Sequence, residues 1–228
     1  MRRLVFSVLT AGALWFVMFS PWTAGWLNFW WSMAASACVL LLLAGSGVES
    51  RRPRVKCQVS RVKSQEPNGF RRVLDVLLEG AAIAAVLWGV FWVGDKLSTL
   101  WFDFARPQVD LIYEMKSGNN PWVIGGLLLL VIGPAEEIFW RGYVQRSLVS
   151  LLAGVGHTDV WARNMAFVVT VCCYTLIHLP SLNFMFIMAA LVCGMSWGLL
   201  YRLMPSHLPA IVVSHAIWDA AVFVVFPI

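Results

Sequence analysis

Charged residues are scarce in this sequence. Asp, Glu, Lys and Arg together make up 13% of the 228 residues, against roughly 25% in an average soluble domain. Hydrophobic residues make up 60%, and the mean hydropathy is +0.74. This composition excludes an ordinary water-soluble globular domain, and it predicts an integral membrane protein.

Several catalytic and metal-binding signatures are also missing. The sequence contains no Gly-x-Ser-Gly, no Gly-x-Gly-Asp and no His-Glu-x-x-His, so it lacks the motifs typical of rhomboid, presenilin and zinc proteases. None of its five cysteines forms a Cys-x-x-Cys pair. We therefore expect no disulfide and no thiolate metal site.

Long apolar runs dominate what is present. Each is close to the roughly 20 residues that cross about 30 Å of hydrocarbon, and their periodicity is helical rather than alternating. An amphipathic segment between Leu97 and Tyr113 would add one more helix. We predict an all-α, polytopic transmembrane helical bundle of seven to eight spans, with spans near residues 4–20, 22–45, 73–94, 121–143, 164–180, 184–201 and 208–226.

The net charge of +5 comes from one segment. Residues 46–72 hold eight Lys or Arg and two Glu, so this loop is predicted to be cytoplasmic by the positive-inside rule. That orientation puts the N-terminus inside, indicates a bacterial inner membrane, and removes the reason to expect a nucleic-acid partner. We divide the chain into an accessory transmembrane hairpin (1–45), a basic cytoplasmic linker (46–72) and a core that holds every candidate for chemistry (73–228).

Ionisable groups at membrane depth are the candidates for function, because each costs on the order of 2.5–3.5 kcal/mol at the bilayer centre unless it is paired or solvated. In "GPAEEIFWRG", Glu137 lies four residues before Arg141 and shares a helix face with it. Glu136 lies on another face and cannot easily share that partner. The dipeptide Gly133-Pro134 predicts a helix break or a new helix N-terminus just before the pair.

Two further spans carry polar candidates. His178 stands near the end of the span that precedes Pro180. His215 and Asp219 are four residues apart in the last span, a spacing that lets a carboxylate orient an imidazole. Each group also has a structural interpretation: an ion pair with a capping glutamate, an interfacial histidine, or a polar pair that joins two helices. Taken together, a base, a polarising histidine and an oriented second histidine favour amide hydrolysis by an activated water.

The three motifs resemble those of the CPBP family of intramembrane proteases (Abi, CAAX-protease and bacteriocin-processing), which includes the Rce1-like prenyl-protein endoproteases. The family pattern is Glu-Glu-x-x-x-Arg, Phe-x-x-x-His and His-x-x-x-Asn/Asp. It is matched here by "EEIFWR" (136–141), "YTLIH" (174–178) and "HAIWD" (215–219). The resemblance covers roughly residues 121–226, and Tyr174 replaces the usual phenylalanine.

The resemblance implies a mechanism. Glu136, assisted by His178, would deprotonate a water that attacks the scissile carbonyl. His215, oriented by Asp219, would stabilise the oxyanion. The predicted supporting residues are Glu137 and Arg141, which would brace the helix, and Tyr174, which would keep the packing role of the phenylalanine.

We expect a glutamate-dependent peptidase that requires no cofactor, although one glutamate and two histidines can in principle ligate Zn²⁺. The expected partners are the lipid bilayer and a membrane-anchored protein or peptide substrate, cut near the end of its anchor. Two other functions remain open: an ion-coupled transporter that uses the same residues as a relay, and a binding protein of the bacteriocin-immunity type.

Overall fold

The computed structural model describes residues 1–48 and 69–228. Within these ranges the chain is helical and contains no strand. The predicted linker 46–72 therefore lies largely outside the described residues, as does Cys57. We number the helices in chain order: α1 (Arg2–Phe19), α2 (Phe29–Val48), α3 (Gly69–Trp101), α4 (Ala105–Glu114), α5 (Pro121–Gly154), α6 (Asp159–Ser181), α7 (Phe184–Leu203) and α8 (Pro205–Val225).

The predicted helical bundle is confirmed. Six of the described helices, α1, α3, α5, α6, α7 and α8, are long and apolar enough to cross a membrane. The apolar part of α2, Phe29–Gly45, is shorter; counted as a span, it brings the total to seven. The expected amphipathic segment is α4, which begins later than predicted because residues 97–101 belong to α3.

Glycine allows α8 to pack closely against two neighbours. A Cβ on Gly80 of α3 would lie 2.6 Å from Val213, and one on Gly133 of α5 would lie 2.9 Å from the Cα of Ala216. Small residues of this kind let helix backbones approach each other in membrane proteins. The last helix is thus held between α3 and α5, and its polar residues face the interior of the bundle.

Helix α5 does not break at Gly133-Pro134, so the expectation of a break or a new N-terminus there was wrong. Wide π-helical turns over Leu128–Ile132 and Ile138–Gln145 flank the α-helical segment Gly133–Glu137. The Gly133 N–H donates to the carbonyl of Leu128, five residues earlier, and Pro134, which lacks an N–H, follows at once. Such π adjustments let proline stay inside a transmembrane helix, so the two glutamates lie in the middle of a span.

Charge is distributed unevenly between the two ends of the bundle. One end, which we call the basic end, includes the start of α8 near α3, where His207 Nδ1 lies 2.6 Å from Glu79 Oε1. Arg146, Arg163 and Arg202 lie around a cavity at this end. The opposite end carries α4 and a mixed set of charges, with Arg106 bound to Asp110 and Asp95. This asymmetry agrees with an inside N-terminus, which stays a prediction.

Candidate active site

The four predicted catalytic side chains, Glu136, His178, His215 and Asp219, line one small cavity of about 100 Å³ in the middle of the bundle. They come from α5, α6 and α8, so residues far apart in sequence meet there. Each of the four residues is at most 8% exposed. The rest of the wall is mainly aromatic and includes Phe19, Phe29 and Trp30 of the α1–α2 hairpin.

Glu137 is the centre of a charged network behind this cavity. Arg141 Nη1 donates to Glu137 Oε1 at 2.6 Å, which confirms the predicted pair. The same carboxylate oxygen lies 2.7 Å from His215 Nδ1. Arg141 also donates to the carbonyl of Gly194 on α7, at 3.2 Å. Glu137 therefore joins α5 to α8, a contact that the sequence did not indicate.

His215 is held on three sides. Its Nε2 lies 3.2 Å from Asp219 Oδ2, as the four-residue spacing predicted. The ring of Trp197 stacks on the imidazole, with centroids 3.9 Å apart and planes at 17°. The Trp197 indole is fixed in turn by its N–H, which donates to Ser214 Oγ at 3.1 Å. Both ring nitrogens of His215 face carboxylates, and both can donate at once only when each carries a proton.

Glu136 is separate from this network. Its carboxylate forms no hydrogen bond or ion pair with Arg141, as its position on the helix predicted. Its Oε2 accepts a hydrogen bond from the Tyr174 hydroxyl at 3.1 Å, while its Oε1 has no hydrogen-bond partner among the described residues. The hydroxyl that distinguishes Tyr174 from the usual phenylalanine thus binds the predicted base. One carboxylate oxygen remains available to a water or a substrate.

His178 is fixed by its own helix and by α1. Its Nδ1 lies 2.7 Å from the carbonyl oxygen of Tyr174. Because a carbonyl only accepts, this nitrogen carries the ring proton. Nε2 is then the acceptor, and it receives the indole N–H of Trp15 at 3.3 Å. Trp15 is fully buried. It was not among the predicted site residues, because a tryptophan in an apolar span gives no local signal of such a contact.

The geometry gives no reason to add a metal. Across residues 1–48 and 69–228, no three His, Cys, Asp or Glu side chains are grouped as a metal site would require. Both ring nitrogens of His178 and both of His215 already contact protein atoms. The expectation that no cofactor is required stays a prediction.

Two larger cavities share walls with the catalytic cavity. One, of about 390 Å³, lies between α4 and the α1–α2 and α6–α7 turns, and it shares Phe19, Phe29 and Phe186 with the catalytic cavity. The other, of about 460 Å³, is strongly apolar, lies between α3, α4, α7 and α8, and shares Phe186 and Trp218. Both lie toward the end of the bundle that carries α4, away from the basic end.

Comparison with known proteins identifies the segment that carries the site. Residues 118–221 match the family described as type II CAAX prenyl endopeptidase Rce1-like. The resemblance predicted from the three motifs is therefore confirmed. No curated protein and no solved structure matches the chain. The matched range contains every predicted site residue, whereas Trp15 and the rest of the α1–α2 hairpin lie outside it.

Proposed function

We propose that this chain, an integral membrane protein with an Rce1-like protease domain of the CAAX type, hydrolyses a peptide bond near the end of a membrane-anchored protein or peptide and uses Glu136 as the base. The observation that carries the proposal is the free Glu136 Oε1 at a cavity that His178, His215 and Asp219 also line. A buried carboxylate without a cation partner suits proton transfer better than structural pairing.

The chemical steps follow from this arrangement. Glu136 accepts a proton from a water, and the water oxygen bonds to the scissile carbonyl carbon. The carbonyl oxygen becomes an oxyanion, which His215, held by Asp219 and Glu137, stabilises by charge. The C–N bond then breaks, and the proton on Glu136 passes to the leaving amine. Glu137 and Arg141 keep the His215 ring in position by the contacts described above.

His178 has a more restricted role than the resemblance implies. While Trp15 donates to its Nε2, that nitrogen cannot accept a proton from water. In this state the ring forms part of the cavity wall. The Trp15 bond fixes the ring at this position, and we expect loss of the bond to weaken catalysis.

The cavities favour a substrate that enters from the end that carries α4. An apolar cavity of about 460 Å³ bordering the catalytic cavity suits a hydrophobic anchor. If the basic end faces the cytoplasm, as its arginines indicate, cleavage takes place toward the outer leaflet of a bacterial inner membrane. This geometry fits a protein held by a C-terminal hydrophobic anchor.

The test is cleavage of fluorogenic membrane-anchored peptides by the purified protein, with peptides that carry either a C-terminal apolar anchor or a CAAX-like end. Wild type is compared with Glu136→Gln, each with and without a chelator. A matched control is Glu114→Gln at the exposed end of α4. We expect chelator-resistant cleavage that is lost only in Glu136→Gln. Undiminished cleavage by Glu136→Gln would overturn the mechanism, and loss of wild-type cleavage with the chelator would show that a metal is needed.

A further inference from the structure

A second polar cavity lies at the basic end, away from the catalytic cavity. It measures about 430 Å³ and is lined by residues of α5, α6, α7 and α8. We call it the arginine pocket, because Arg146 of α5, Arg163 of α6 and Arg202 of α7 all line it. Three cations from three different helices surround one space.

The charge of this pocket has no counterpart among the residues that the structure describes. Its lining includes no carboxylate. Arg146 and Arg163 form no ion pair with any residue that the structure describes, and Arg202 donates to a neutral partner, Asn164 Oδ1, at 2.6 Å. Guanidinium groups that share a pocket without an anion repel one another, so an anionic ligand is the simplest way to balance them.

The other lining groups indicate what else the ligand carries. Ser150 and Ser206 supply hydroxyls beside the arginines. Gln145 is 1% exposed; its Nε2 donates to the Gly198 carbonyl at 3.0 Å, while its Oε1 has no partner. A buried acceptor without a donor is unfavourable. A ligand with both a phosphate and hydroxyl groups would pair with the arginines and bond the hydroxyls of Ser150 and Ser206.

We propose that the arginine pocket binds the phosphate head group of an anionic phospholipid, one with free hydroxyls such as phosphatidylglycerol. The position of the pocket indicates that the phosphate belongs to a membrane lipid. It lies where four membrane helices begin or end, at the end of the bundle whose charge indicates the cytoplasmic leaflet, and anionic lipids attract basic groups at that surface. The proposal does not depend on the proteolytic activity.

Lipid binding to the full-length protein in detergent tests the proposal. Short-chain phosphatidylglycerol, phosphatidylcholine and inorganic phosphate are titrated separately, and binding is followed by native mass spectrometry and by the rise in Tm. The test variant is Arg146→Gln/Arg163→Gln. The control, Arg71→Gln/Arg72→Gln, removes the same charge from exposed residues at the start of α3.

We expect phosphatidylglycerol to bind wild type and the control equally and to bind the test variant at least tenfold more weakly, since each lost charge-assisted hydrogen bond corresponds to about tenfold in affinity. Phosphatidylcholine should bind weakly to all three. Equal binding of phosphatidylglycerol to the test variant and the control would overturn the proposal. Binding of inorganic phosphate as tight as that of the lipid would overturn the lipid as the ligand. Both arginine side chains are exposed, so the variant should fold, which circular dichroism checks.

Discussion

The α1–α2 hairpin and the segment that matches the CAAX proteases differ in what they bring to the site. The matched segment supplies the carboxylates at the cavity, Glu136 and Asp219, and also Glu137 in the network behind it. The hairpin has no ionisable side chain near the site, yet Trp15 donates to His178, and Phe19, Phe29 and Trp30 close the cavity wall. The motifs identify the reacting groups, whereas the enclosure of the site depends on residues that belong to no motif.

The contacts of the α1–α2 hairpin bear on how the chain is divided into domains. The division of residues 1–45 from the rest of the chain as an accessory hairpin stays a prediction. In the structure, α1 and α2 are part of the bundle: Trp30 donates to the Met115 carbonyl at 3.0 Å, and Ser7 and Tyr143 lie 3.4 Å apart through their hydroxyl oxygens. The hairpin therefore contacts both the catalytic segment and the loop before α5, which is the position of a structural component of the site.

Within the matched segment, the two adjacent glutamates differ most in their expected roles. Their substitution should give the largest changes in stability and activity. Glu137→Gln leaves Arg141 buried without its carboxylate, and loss of one partner of a buried ion pair costs about 3–5 kcal/mol of stability. Glu136→Gln removes no ion pair, so its stability should stay close to that of wild type while its activity is lost. Thermal unfolding in detergent, measured beside peptide cleavage, separates the two.

Equal unfolding temperatures for Glu136→Gln and Glu137→Gln would contradict the assignment of Glu137 to structure and of Glu136 to catalysis. A structural Glu136 would show itself by a fall in Tm equal to that of Glu137→Gln. A variant that keeps its fold, Glu137→Asp, checks that the effect depends on charge rather than on side-chain length, because it retains a carboxylate near Arg141. It should recover part of the stability lost in Glu137→Gln.

Contacts within one helix could be predicted from the sequence, because helical geometry fixes them. The Glu137–Arg141 and His215–Asp219 pairs follow from spacings of four residues and are present at 2.6 and 3.2 Å. The separation of Glu136 from Arg141 follows from the same rule. The helical bundle itself follows from the length and the apolar character of the runs.

Contacts between helices could not be predicted in this way. Glu137 and His215 are 78 residues apart, and Trp15 and His178 are 163 apart. These contacts depend on how α1, α5, α6 and α8 pack against one another. No local sequence pattern predicts that packing. The expected break at Gly133-Pro134 was wrong for a related reason: a π turn accommodates the proline within one continuous helix. Such a turn has no clear signature in a single sequence.

The contribution of the hairpin can be tested by removing one hydrogen-bond donor, the indole N–H of Trp15. Trp15→Phe keeps an aromatic ring at the position but loses the N–H that binds His178 Nε2. We expect kcat to fall about three- to tenfold with little change in KM, because a neutral hydrogen bond contributes about 0.5–1.5 kcal/mol. Trp30→Phe is the control, since it loses an indole N–H of the same hairpin that donates to a backbone carbonyl away from His178.

A double-mutant cycle shows whether Trp15 acts through His178. In a His178→Ala background, Trp15→Phe should cause no further loss, whereas Trp30→Phe should have the same small effect in both backgrounds. In ¹⁵N NMR spectra of the folded protein, the signal of the unprotonated His178 Nε2 should shift in the Trp15→Phe variant. It should not shift in the Trp30→Phe variant. If the losses in kcat are additive and the His178 Nε2 signal is unchanged, Trp15 acts only through packing. The hairpin is then an accessory element rather than part of the site.

The smallest expected effect concerns Tyr174, which stands where the motif of the resemblance has phenylalanine. Tyr174→Phe restores the usual residue and removes only the hydroxyl that donates to Glu136 Oε2. The ring, which packs against Trp140 and lies beneath the Arg141 guanidinium, is kept. Because the motif of the resemblance has no hydroxyl at this position, we expect cleavage to fall by about tenfold or less, which is the lower end of what one hydrogen bond to a charged group contributes. A loss as large as that of Glu136→Gln, measured as kcat/KM on the same peptide, would mean that Tyr174 takes part in the reaction itself.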